Sequence, residues 1–365
     1  MNNFELALNS VSFGQIGVGL LRERFKRSPE RSAPLFLIAN NGDLSSYDED
    51  ESFINWIKTS TSNALKKFKN TDPTFKLWHL NGSLPKVSAK QCLLSFYETD
   101  SPTDIELNLV RNNDIVLFTS EYTRDVFKMY GAENVHYLPL FFEKRYFKKL
   151  EKTYFEDGRI VFNVVGKFEK RKNHGQVITA WAKKYGNNPK YYLNCAVYNP
   201  FFKPEENYEI WSKLFGGKQF FNIKFHPFMQ KNEMYNDFLN SGDIAIGMSG
   251  GENWDLPVFH SVGIGKHAVI LDCNGYKGWA NNENSVLVKP DGKMPAYDQM
   301  FFKEGDIINQ GNFFKFDTEE FLGACDAAIE RVQKDKVNKA GLKLQDDFSV
   351  DKTYDKIEGF LGQLV

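Results

Sequence analysis

Residues 241–270 read "SGDIAIGMSGGENWDLPVFHSVGIGKHAVI", and this stretch decides the fold prediction. Its apolar run "DIAIGMS" is typical of a strand that is covered on both faces of a parallel sheet. The segment "PVFHSVGIG" that follows is short and helical in pattern, with Pro257 in the first turn, where a missing N–H is tolerated. The chain is therefore predicted to turn sharply between a buried strand and a helix.

Ser249, Gly250 and Gly251 lie in this turn, at the carboxyl end of the strand, where an open α/β sheet has its ligand crevice. Glycines allow backbone N–H groups to approach a ligand closely, and a helix N-terminus favours an anion. The turn is therefore predicted to bind a phosphate. Glu252 would repel a phosphate, so we expect it either to face a neutral group such as sugar hydroxyls or simply to cap the helix.

A second cluster lies in "VVGKFEKRKNHGQVITAW", where a buried strand ends at Gly166. Four cations follow before the next helix: Lys167, Lys170, Arg171 and Lys172. Positive groups at the same sheet edge as the glycine turn can neutralise a diphosphate. A solvated basic turn is the alternative interpretation of this cluster.

Two series of β-type runs alternate with helical stretches along the chain. The first series extends from "FELAL" to "VHYLPL" and the second from "RIVFNVVG" to "SVLVKP". This alternation predicts βα units around parallel sheets, hence two tandem doubly wound α/β domains. A charged stretch without strand pattern places a linker near residues 143–158. We predict domains at 1–150 and 151–340, with C-terminal helices at 341–365 that pack back towards the first domain.

Composition narrows the class of protein. The 365 residues include 46 basic and 47 acidic side chains, so no charge excess points to a polyanion or a membrane surface. The four cysteines form no C-x-x-C pair, which argues against a zinc knuckle and for a reducing compartment. No run reaches the roughly 18 apolar residues of a membrane span, so a cytoplasmic protein is expected. Asp48 and Asp50 form the one acidic D-x-D spacing and are interpreted as a solvated loop, so no metal is expected.

The two clusters together resemble the donor half of the GT-B glycosyltransferases, in particular the large retaining family 4. That family has Gly-Arg, a lysine five residues later, an apolar strand, a serine, and a Glu separated by seven residues from a second Glu. Gly166 and Lys167 stand at the Gly-Arg position, Lys172 at the lysine, Ser249 at the serine and Glu252 at the first Glu. Upstream, "FYETDSPTDIELNLVRNNDIVLFTSEYTRDVFKMYGAENVHYLPLFFEKRYF" resembles the end of the acceptor half.

The resemblance implies a GT-B fold of two Rossmann-like domains and an enzyme that transfers a hexose or pentose. The sugar would pass from a nucleoside diphosphate, with a UDP-sugar as the expected donor, to an acceptor hydroxyl, with retention and without a metal or other cofactor. Such a site must stabilise the departing diphosphate, which positioned cations and N–H groups can do. We assign this role to Lys167, Lys172 and the pair Gly250–Gly251, and sugar binding to Glu252.

Three departures from the family pattern concern the donor. His260 stands at the second Glu, which in the family usually holds ribose hydroxyls. A neutral imidazole accepts with one nitrogen only, so His260 either binds ribose or is a packing residue. Asn253 and Asp255 stand where the family often has Gly, which suggests an unusual donor. His226, in "KFHP", is expected near the nucleotide base.

The amino-terminal half is expected to bind the acceptor through residues that follow its predicted strands. These candidates are Gly14, Gln15, His79, Glu98 and Asp100. His79 or Glu98 could deprotonate the acceptor hydroxyl. Capping and loop hydrogen bonding is the alternative for each of them.

Three other functions stay open, one of which is an epimerase or phosphorylase of the same fold, although the chain is too short for a pyridoxal-phosphate phosphorylase. Some viral enzymes of this fold glycosylate DNA bases, and "LLRERFKRSPER" and "LKKFKN" are candidate phosphate-tracking segments, but a near-neutral amino-terminal half makes DNA the less favoured acceptor. A non-catalytic relative that only binds a nucleotide sugar is the third alternative, suggested by His260.

Overall fold

A computed structural model describes residues 2–365, with the side chains of residues 39–41 excepted. The chain forms two compact units. Unit 1 contains the residues up to Glu143 together with Gly305–Gln310 and Asp346–Val365, and unit 2 contains Lys144–Glu304 and Gly311–Gln345. The first boundary therefore lies at Glu143 instead of residue 150.

Unit 1 is built on a six-stranded parallel sheet of order β2-β1-β3-β4-β5-β6. The chain starts at β1, adds β2 on one side and then β3 on the other, so a topological switch point lies between β1 and β3. The strands are β1 (Asn3–Leu8), β2 (Leu35–Gly42), β3 (Thr74–Leu77), β4 (Gln91–Ser95), β5 (Ile115–Phe118) and β6 (Val135–Tyr137). Between them lie α1 (Ser12–Arg27), α2 (Glu51–Lys66), α3 (Asp104–Arg111) and α4 (Glu121–Met129).

Unit 2 is also built on a six-stranded parallel sheet, but its order is β12-β11-β10-β7-β8-β9, with two strands on one side of β7 and three on the other. Its switch point lies between β7 and β10. The strands are β7 (Ile160–Val165), β8 (Tyr191–Ala196), β9 (Ile223–Phe225), β10 (Ile244–Gly247), β11 (His267–Leu271) and β12 (Val286–Val288). The helices are α5 (His174–Tyr185), α6 (Pro204–Lys213), α7 (Asn232–Ser241), α8 (Leu256–Gly263), α9 (Thr318–Lys334) and α10 (Lys339–Leu342).

Each of the strands β1–β12 overlaps one of the predicted apolar runs. Their inward side chains form the two cores, because a strand buried on both faces must be apolar almost throughout. Sequence patterns did not predict the antiparallel hairpin of β13 (Lys293–Pro295) and β14 (Asn312–Phe314), whose strands have three residues each.

The carboxyl-terminal segment contains α11 (Leu344–Asp347) and α12 (Val350–Gly362). Helix α12 belongs to unit 1, where Arg27 of α1 pairs with Asp355 at 2.5 Å and lies over the ring of Tyr354. The hydroxyl of Thr353 donates to the carbonyl of Pro139 at 3.1 Å. These contacts, with the buried apolar face of α12, complete the unit 1 core.

The segment after Glu143, predicted as a linker, is packed on α7 within unit 2. The N–H of Lys148 donates to Asn236 Oδ1 at 3.0 Å, and that of Leu150 to Asn240 Oδ1 at 2.8 Å. Side-chain amides of a helix thus satisfy the backbone of an extended segment that has no strand partner.

Residues 305–310, between β13 and β14, belong to unit 1. The N–H of Asn309 donates to Glu106 Oε1 at 2.8 Å, and the hydroxyl of Thr103 donates to the Ile307 carbonyl at 2.7 Å. Glu106 also accepts from the N–H of Thr103 at 2.8 Å and so caps α3. Throughout residues 2–365, the helices lack the combination of length and hydrophobicity that a membrane crossing requires.

Candidate functional site

The candidate site lies at the switch point of unit 2, where β7 and β10 are neighbouring parallel strands. From this point the chain proceeds outward in opposite directions, and open α/β sheets generally bind ligands outside the carboxyl ends of the strands at such a switch point. These two loops carry the basic cluster and the glycine turn. The structure therefore brings the two predicted clusters to one place.

Hydrogen bonds join the two loops directly. The carbonyl of Arg171 accepts from the N–H of Gly250 at 2.8 Å and from the hydroxyl of Ser249 at 3.0 Å. The side-chain amide of Asn173 donates to the Met248 carbonyl at 2.8 Å. The glycine turn and the basic turn are consequently one rigid structure.

The backbone of Gly250 makes hydrogen bonds to two other segments, which the sequence did not predict. Its N–H is already donated to Arg171, and its carbonyl accepts from the N–H of Phe314 at 2.9 Å. A Cβ at Gly250 would lie 1.9 Å from the Phe314 carbonyl oxygen, so glycine is required by the close approach of β14. Because this N–H is already donated within the chain, phosphate binding by Gly250 stays a prediction. Gly251 is buried, and its carbonyl accepts from Arg171 Nη1 at 2.7 Å.

Glu252 is at the centre of the site and is held by two cations. Arg171 Nη1 lies 2.7 Å from Glu252 Oε1, and Lys172 Nζ contacts the same oxygen. The three side chains are only 9–11% exposed. Burial alone would raise the pKa of Glu252, but the adjacent ammonium and guanidinium groups outweigh it and hold that pKa at about 2. Burial would lower the pKa of Lys172, yet the charge of Glu252 raises it overall, so the pair is ionised at neutral pH.

Glu169 continues this cluster on the other side of Arg171. Its carboxylate accepts from Arg171 Nε at 2.9 Å and pairs with Lys167 Nζ at 2.8 Å. Burial opposes its ionisation, but Arg171 and Lys167 together lower its pKa. Three cations thus face two carboxylates, which leaves a net positive charge. Sequence analysis did not select Glu169 or single out Arg171, and the only signal was the alternation of signs in "KFEKRK".

Lys167 and Lys170 differ from Lys172 in their surroundings. Lys167 is 38% exposed, and its ammonium lies 5.1 Å from the ring of Phe201 and 5.4 Å from that of Phe301. Lys170 donates to the carbonyls of residues 295 and 297 at 3.1 and 2.7 Å. Lys170 therefore supports the segment around β13, while Lys167 remains at the surface of the cluster.

Gly166 allows the basic turn to fold over the end of β7. Its φ is +135°, which side-chain-bearing residues rarely adopt, and a Cβ there would lie 3.3 Å from His174 Cε1 and 3.4 Å from Lys172 Cε. Burial, reinforced by Lys172, lowers the pKa of His174 to about 3, so its imidazole is neutral. Its Nδ1 is buried and makes no hydrogen bond with any part of the chain that the structure describes.

Asp255 is a further member of the site that the sequence indicated only as a departure from glycine. It has φ +60° and is 6% exposed. Its Oδ2 accepts a 2.5 Å hydrogen bond from the hydroxyl of Tyr276, which is fully buried. Burial raises the pKa of Asp255, and Glu252 raises it further, against the opposing effects of Lys172, the Tyr276 hydroxyl and the Val258 amide.

The two histidines predicted to bind the nucleotide have packing contacts. The ring of His260 lies face to face with Phe147 at 3.8 Å and is 3% exposed, and burial lowers its pKa to about 3. His226 Nε2 is 2.9 Å from Asn194 Oδ1, and its ring contacts Phe238. It follows β9, which is separated from β7 by β8. Packing therefore accounts for both rings, and ribose or base binding stays a prediction for each.

The acceptor candidates lie together at the switch point of unit 1. Gly14 and Gln15 follow β1, His79 follows β3, and Glu98 and Asp100 follow β4, and these three strands are neighbours in the sheet. His79 is exposed, whereas Glu98 and Asp100 are half-buried.

Aromatic contacts hold these three loops against one another. The ring of Phe13 lies 4.7 Å from that of His79 and 5.0 Å from that of Phe96. Gly14 is needed for the close approach of the β1–α1 loop, since a Cβ would lie 2.0 Å from the Asn9 carbonyl oxygen. A search of residues 2–365 for clusters of three or more His, Cys, Asp or Glu side chains arranged to hold a metal ion finds none.

No protein-family model and no curated protein sequence matches this chain. Solved structures do match over its whole length. Sucrose-phosphate synthase from Thermosynechococcus elongatus has a TM-score of 0.68 at 12% identity, with 100% of this chain and 98% of that chain covered. Anabaena HepE in complex with UDP and glucose has a TM-score of 0.66 at 15% identity, with both chains covered fully. A UDP-forming α,α-trehalose-phosphate synthase from Burkholderia xenovorans has 0.65 at 12% identity, with 100% and 99% covered.

This likeness, with the two six-stranded parallel sheets, defines the fold as GT-B. Identities of 12–15% establish the fold alone. The activity has to be argued from the site.

Proposed function

We propose that this protein is a glycosyltransferase that moves a sugar from a nucleoside diphosphate, UDP in the first place, to an acceptor hydroxyl. The observation that carries the proposal is the buried cluster of Glu252, Lys172 and Arg171 at the switch point of unit 2. Buried charges of this kind are retained in folds mostly where a ligand needs them.

The cations of the cluster can stabilise the diphosphate leaving group. As the bond to the sugar breaks, negative charge develops on the diphosphate, and fixed positive groups in a water-poor crevice stabilise it. An ammonium has three N–H donors, of which Glu252 takes one at Lys172, so phosphate oxygens can take the others. Lys167, at the exposed side of the cluster, is suited to the outer phosphate. These protein cations can replace a metal ion, and we propose transfer without one.

Glu252 fits the sugar instead of the phosphate. A carboxylate with a pKa of about 2 stays ionised at neutral pH and therefore accepts hydrogen bonds without taking a proton. Sugar hydroxyls are the donors that such a group binds, and its Oε1 is fixed by two cations so that its orientation is set.

The choice of UDP is supported by two of the similar structures, one in complex with UDP and glucose and one described as UDP-forming. Retention is supported by the motif resemblance to family 4, carried by Gly166, Lys172, Ser249 and Glu252. For the acceptor, His79 and Glu98 are the groups in unit 1 whose chemistry suits removal of a hydroxyl proton.

The first experiment is a thermal-shift and calorimetric panel of UDP, GDP, ADP and CDP with their common sugar conjugates. A nucleotide that binds the folded protein alone raises its unfolding temperature. The test variant is Lys172→Met, which keeps the length of the side chain, and the control is Lys183→Met, an exposed lysine at the end of α5.

We expect one nucleotide to bind the wild type. Lys172→Met should weaken that binding about tenfold or more, because a charge-assisted hydrogen bond is lost. Lys183→Met should leave the binding unchanged. Absence of binding to every nucleotide at millimolar concentration would contradict the proposal. With an acceptor in hand, NMR of the product reports the anomeric configuration, and equal rates with and without EDTA are expected.

A further inference from the structure

Asp255 combines two features that are unfavourable in a folded protein. Its φ of +60° and ψ of +72° lie in the left-handed region, where a side chain is crowded against the backbone and glycine is preferred. Its Oδ1 is buried, and no residue in the range 2–365 donates a hydrogen bond to it. Buried polar atoms are nearly always paired in native proteins, so an exception of this kind calls for an explanation.

Helix capping does not provide that explanation. Asp255 precedes α8, where an aspartate often accepts from the first-turn amides, but here the side chain makes no capping hydrogen bond. A glycine would satisfy the backbone at this position without strain. Strained, unsatisfied residues persist where the surrounding structure holds them for a function.

The surroundings hold the Asp255 carboxyl rigidly. Tyr276 fixes Oδ2 at 2.5 Å and is itself fully buried. The preceding residue, Trp254, is 2% exposed, and its carbonyl accepts from Trp279 Nε1 at 2.9 Å. The carboxyl cannot turn away from its position without disrupting this aromatic support.

The carboxyl interacts electrostatically with the cluster already described. It lies within electrostatic range of both Lys172 and Glu252, each of which affects its ionisation. The site therefore has two carboxyl groups beside one ammonium, three residues apart on the same loop. A phosphate is repelled by such a pair, whereas a group with several O–H or N–H donors is attracted to it.

We propose that Asp255 is a specificity-determining residue whose Oδ1 accepts a hydrogen bond from a hydroxyl of the transferred sugar, beside Glu252. This inference rests on the proposed function, because it concerns the same donor site. It goes beyond it in adding the Asp255 carboxyl to Glu252 as a group that binds the sugar, and in requiring a sugar with a hydroxyl that reaches Oδ1.

The test compares binding of UDP-glucose with binding of UDP by calorimetry, in Asp255→Asn and in wild type. Asparagine tolerates the left-handed region, and its oxygen can keep the hydrogen bond from Tyr276. Its NH₂ group then replaces Oδ1, so an acceptor becomes a donor. The control is Asp243→Asn, the same chemical change at a half-buried carboxylate at the opposite end of β10, where Asp243 accepts from the N–H of Val161.

We expect Asp255→Asn to weaken UDP-glucose binding about tenfold or more, because the oxygen that accepts from the sugar is replaced by a donor, and to change UDP binding by less than about twofold. The unfolding temperature of the unliganded protein should not fall, because asparagine can keep the hydrogen bond from Tyr276 and the buried oxygen without a donor is removed. Asp243→Asn should leave the ratio of the two affinities unchanged. If Asp255→Asn does not fold, the double variant Asp255→Gly/Tyr276→Phe removes the carboxyl together with its partner and has the same expected outcome.

Equal loss of UDP and UDP-glucose binding would show a structural role and overturn the inference, as would an unchanged ratio. If UDP-glucose binds the wild type no more tightly than UDP, the comparison uses UDP-galactose or UDP-N-acetylglucosamine, and failure of all three to exceed UDP also overturns it. If the wild type binds no nucleotide at all, the proposed function itself fails.

Discussion

Replacement of Glu252 by glutamine tests the charge cluster most directly. The change keeps the shape of the side chain and removes its charge, so that Lys172 and Arg171 lose their shared counter-ion. The pKa of Glu252 is lowered from 4.5 to about 2, and one pKa unit corresponds to about 1.4 kcal/mol. We therefore expect Glu252→Gln to lower the free energy of unfolding by roughly 3 kcal/mol at neutral pH.

The pH dependence of this difference has a definite sign. A carboxyl whose pKa is depressed in the folded state stabilises it fully above its unfolded pKa, and the stabilisation is lost as pH falls towards the folded pKa. The gap between wild type and Glu252→Gln should be constant from pH 8 to pH 5 and narrow by roughly a quarter by pH 4.

Urea unfolding followed by tryptophan fluorescence measures the gap, since Trp254 and Trp279 lie in the loops beside Glu252. The control is Glu209→Gln, an exposed glutamate that pairs with Lys213 at 2.5 Å and should be nearly neutral. A gap below about 1 kcal/mol at pH 7, or one that widens on acidification, would refute the argument from linkage.

The same variant separates stability from ligand binding. Glu252 competes with phosphate for Lys172 and Arg171, so Glu252→Gln should bind UDP at least as tightly as wild type although it is less stable. Parallel loss of stability and UDP affinity would mean that Glu252 acts on the nucleotide only through the integrity of the site.

Further changes have equally definite outcomes. Gly250→Ala should lower the unfolding temperature strongly or prevent folding, because its Cβ would lie 1.9 Å from a carbonyl oxygen of β14, whereas Gly323→Ala, in α9 with open space around it, should raise that temperature slightly. The pKa of His174 is lowered to about 3 in the folded state. As pH drops from about 6.5 towards 3, His174 is protonated in the unfolded chain but not in the folded one, so the free energy of unfolding falls. NMR at pH 5 should therefore show a neutral imidazole that is absent from His174→Asn. Tyr276→Phe removes the hydrogen bond to Asp255 Oδ2 and should lower the free energy of unfolding by about 1–3 kcal/mol, measured by urea titration.

The sequence predicts that the glycine turn and the basic cluster meet, because the rules involved are local or topological. Apolar runs identify the strands, and parallel strands present their carboxyl ends at one edge. A polar turn follows each of the strands β7 and β10. Because both turns lie at the carboxyl edge of one parallel sheet, Lys172 and Glu252 were predicted to lie close together. The resemblance to GT-B enzymes added the expectation that this turn binds a diphosphate.

Sequence patterns did not predict contacts between residues that are far apart in the chain. Gly250 meets Phe314, which is far along the chain in a three-residue strand without alternation. Arg171 and Lys170 are adjacent cations of one run, yet one binds Glu252 and the other binds backbone carbonyls. Asp255 was noticed as a replacement for glycine, but its strain and its unpaired oxygen are properties of the folded backbone alone.

The division of the chain into interleaved units has a consequence for biosynthesis. Unit 1 needs the segment Asp346–Val365, which follows the whole of unit 2 in the sequence, whereas unit 2 is complete at Gln345. During synthesis on the ribosome, unit 1 therefore stays incomplete while unit 2 emerges and folds. Until α12 is made, the surface of unit 1 that α12 covers is exposed to solvent. The first unit to begin is the last to finish, and during that interval the growing chain is a natural client for a chaperone that recognises apolar surface.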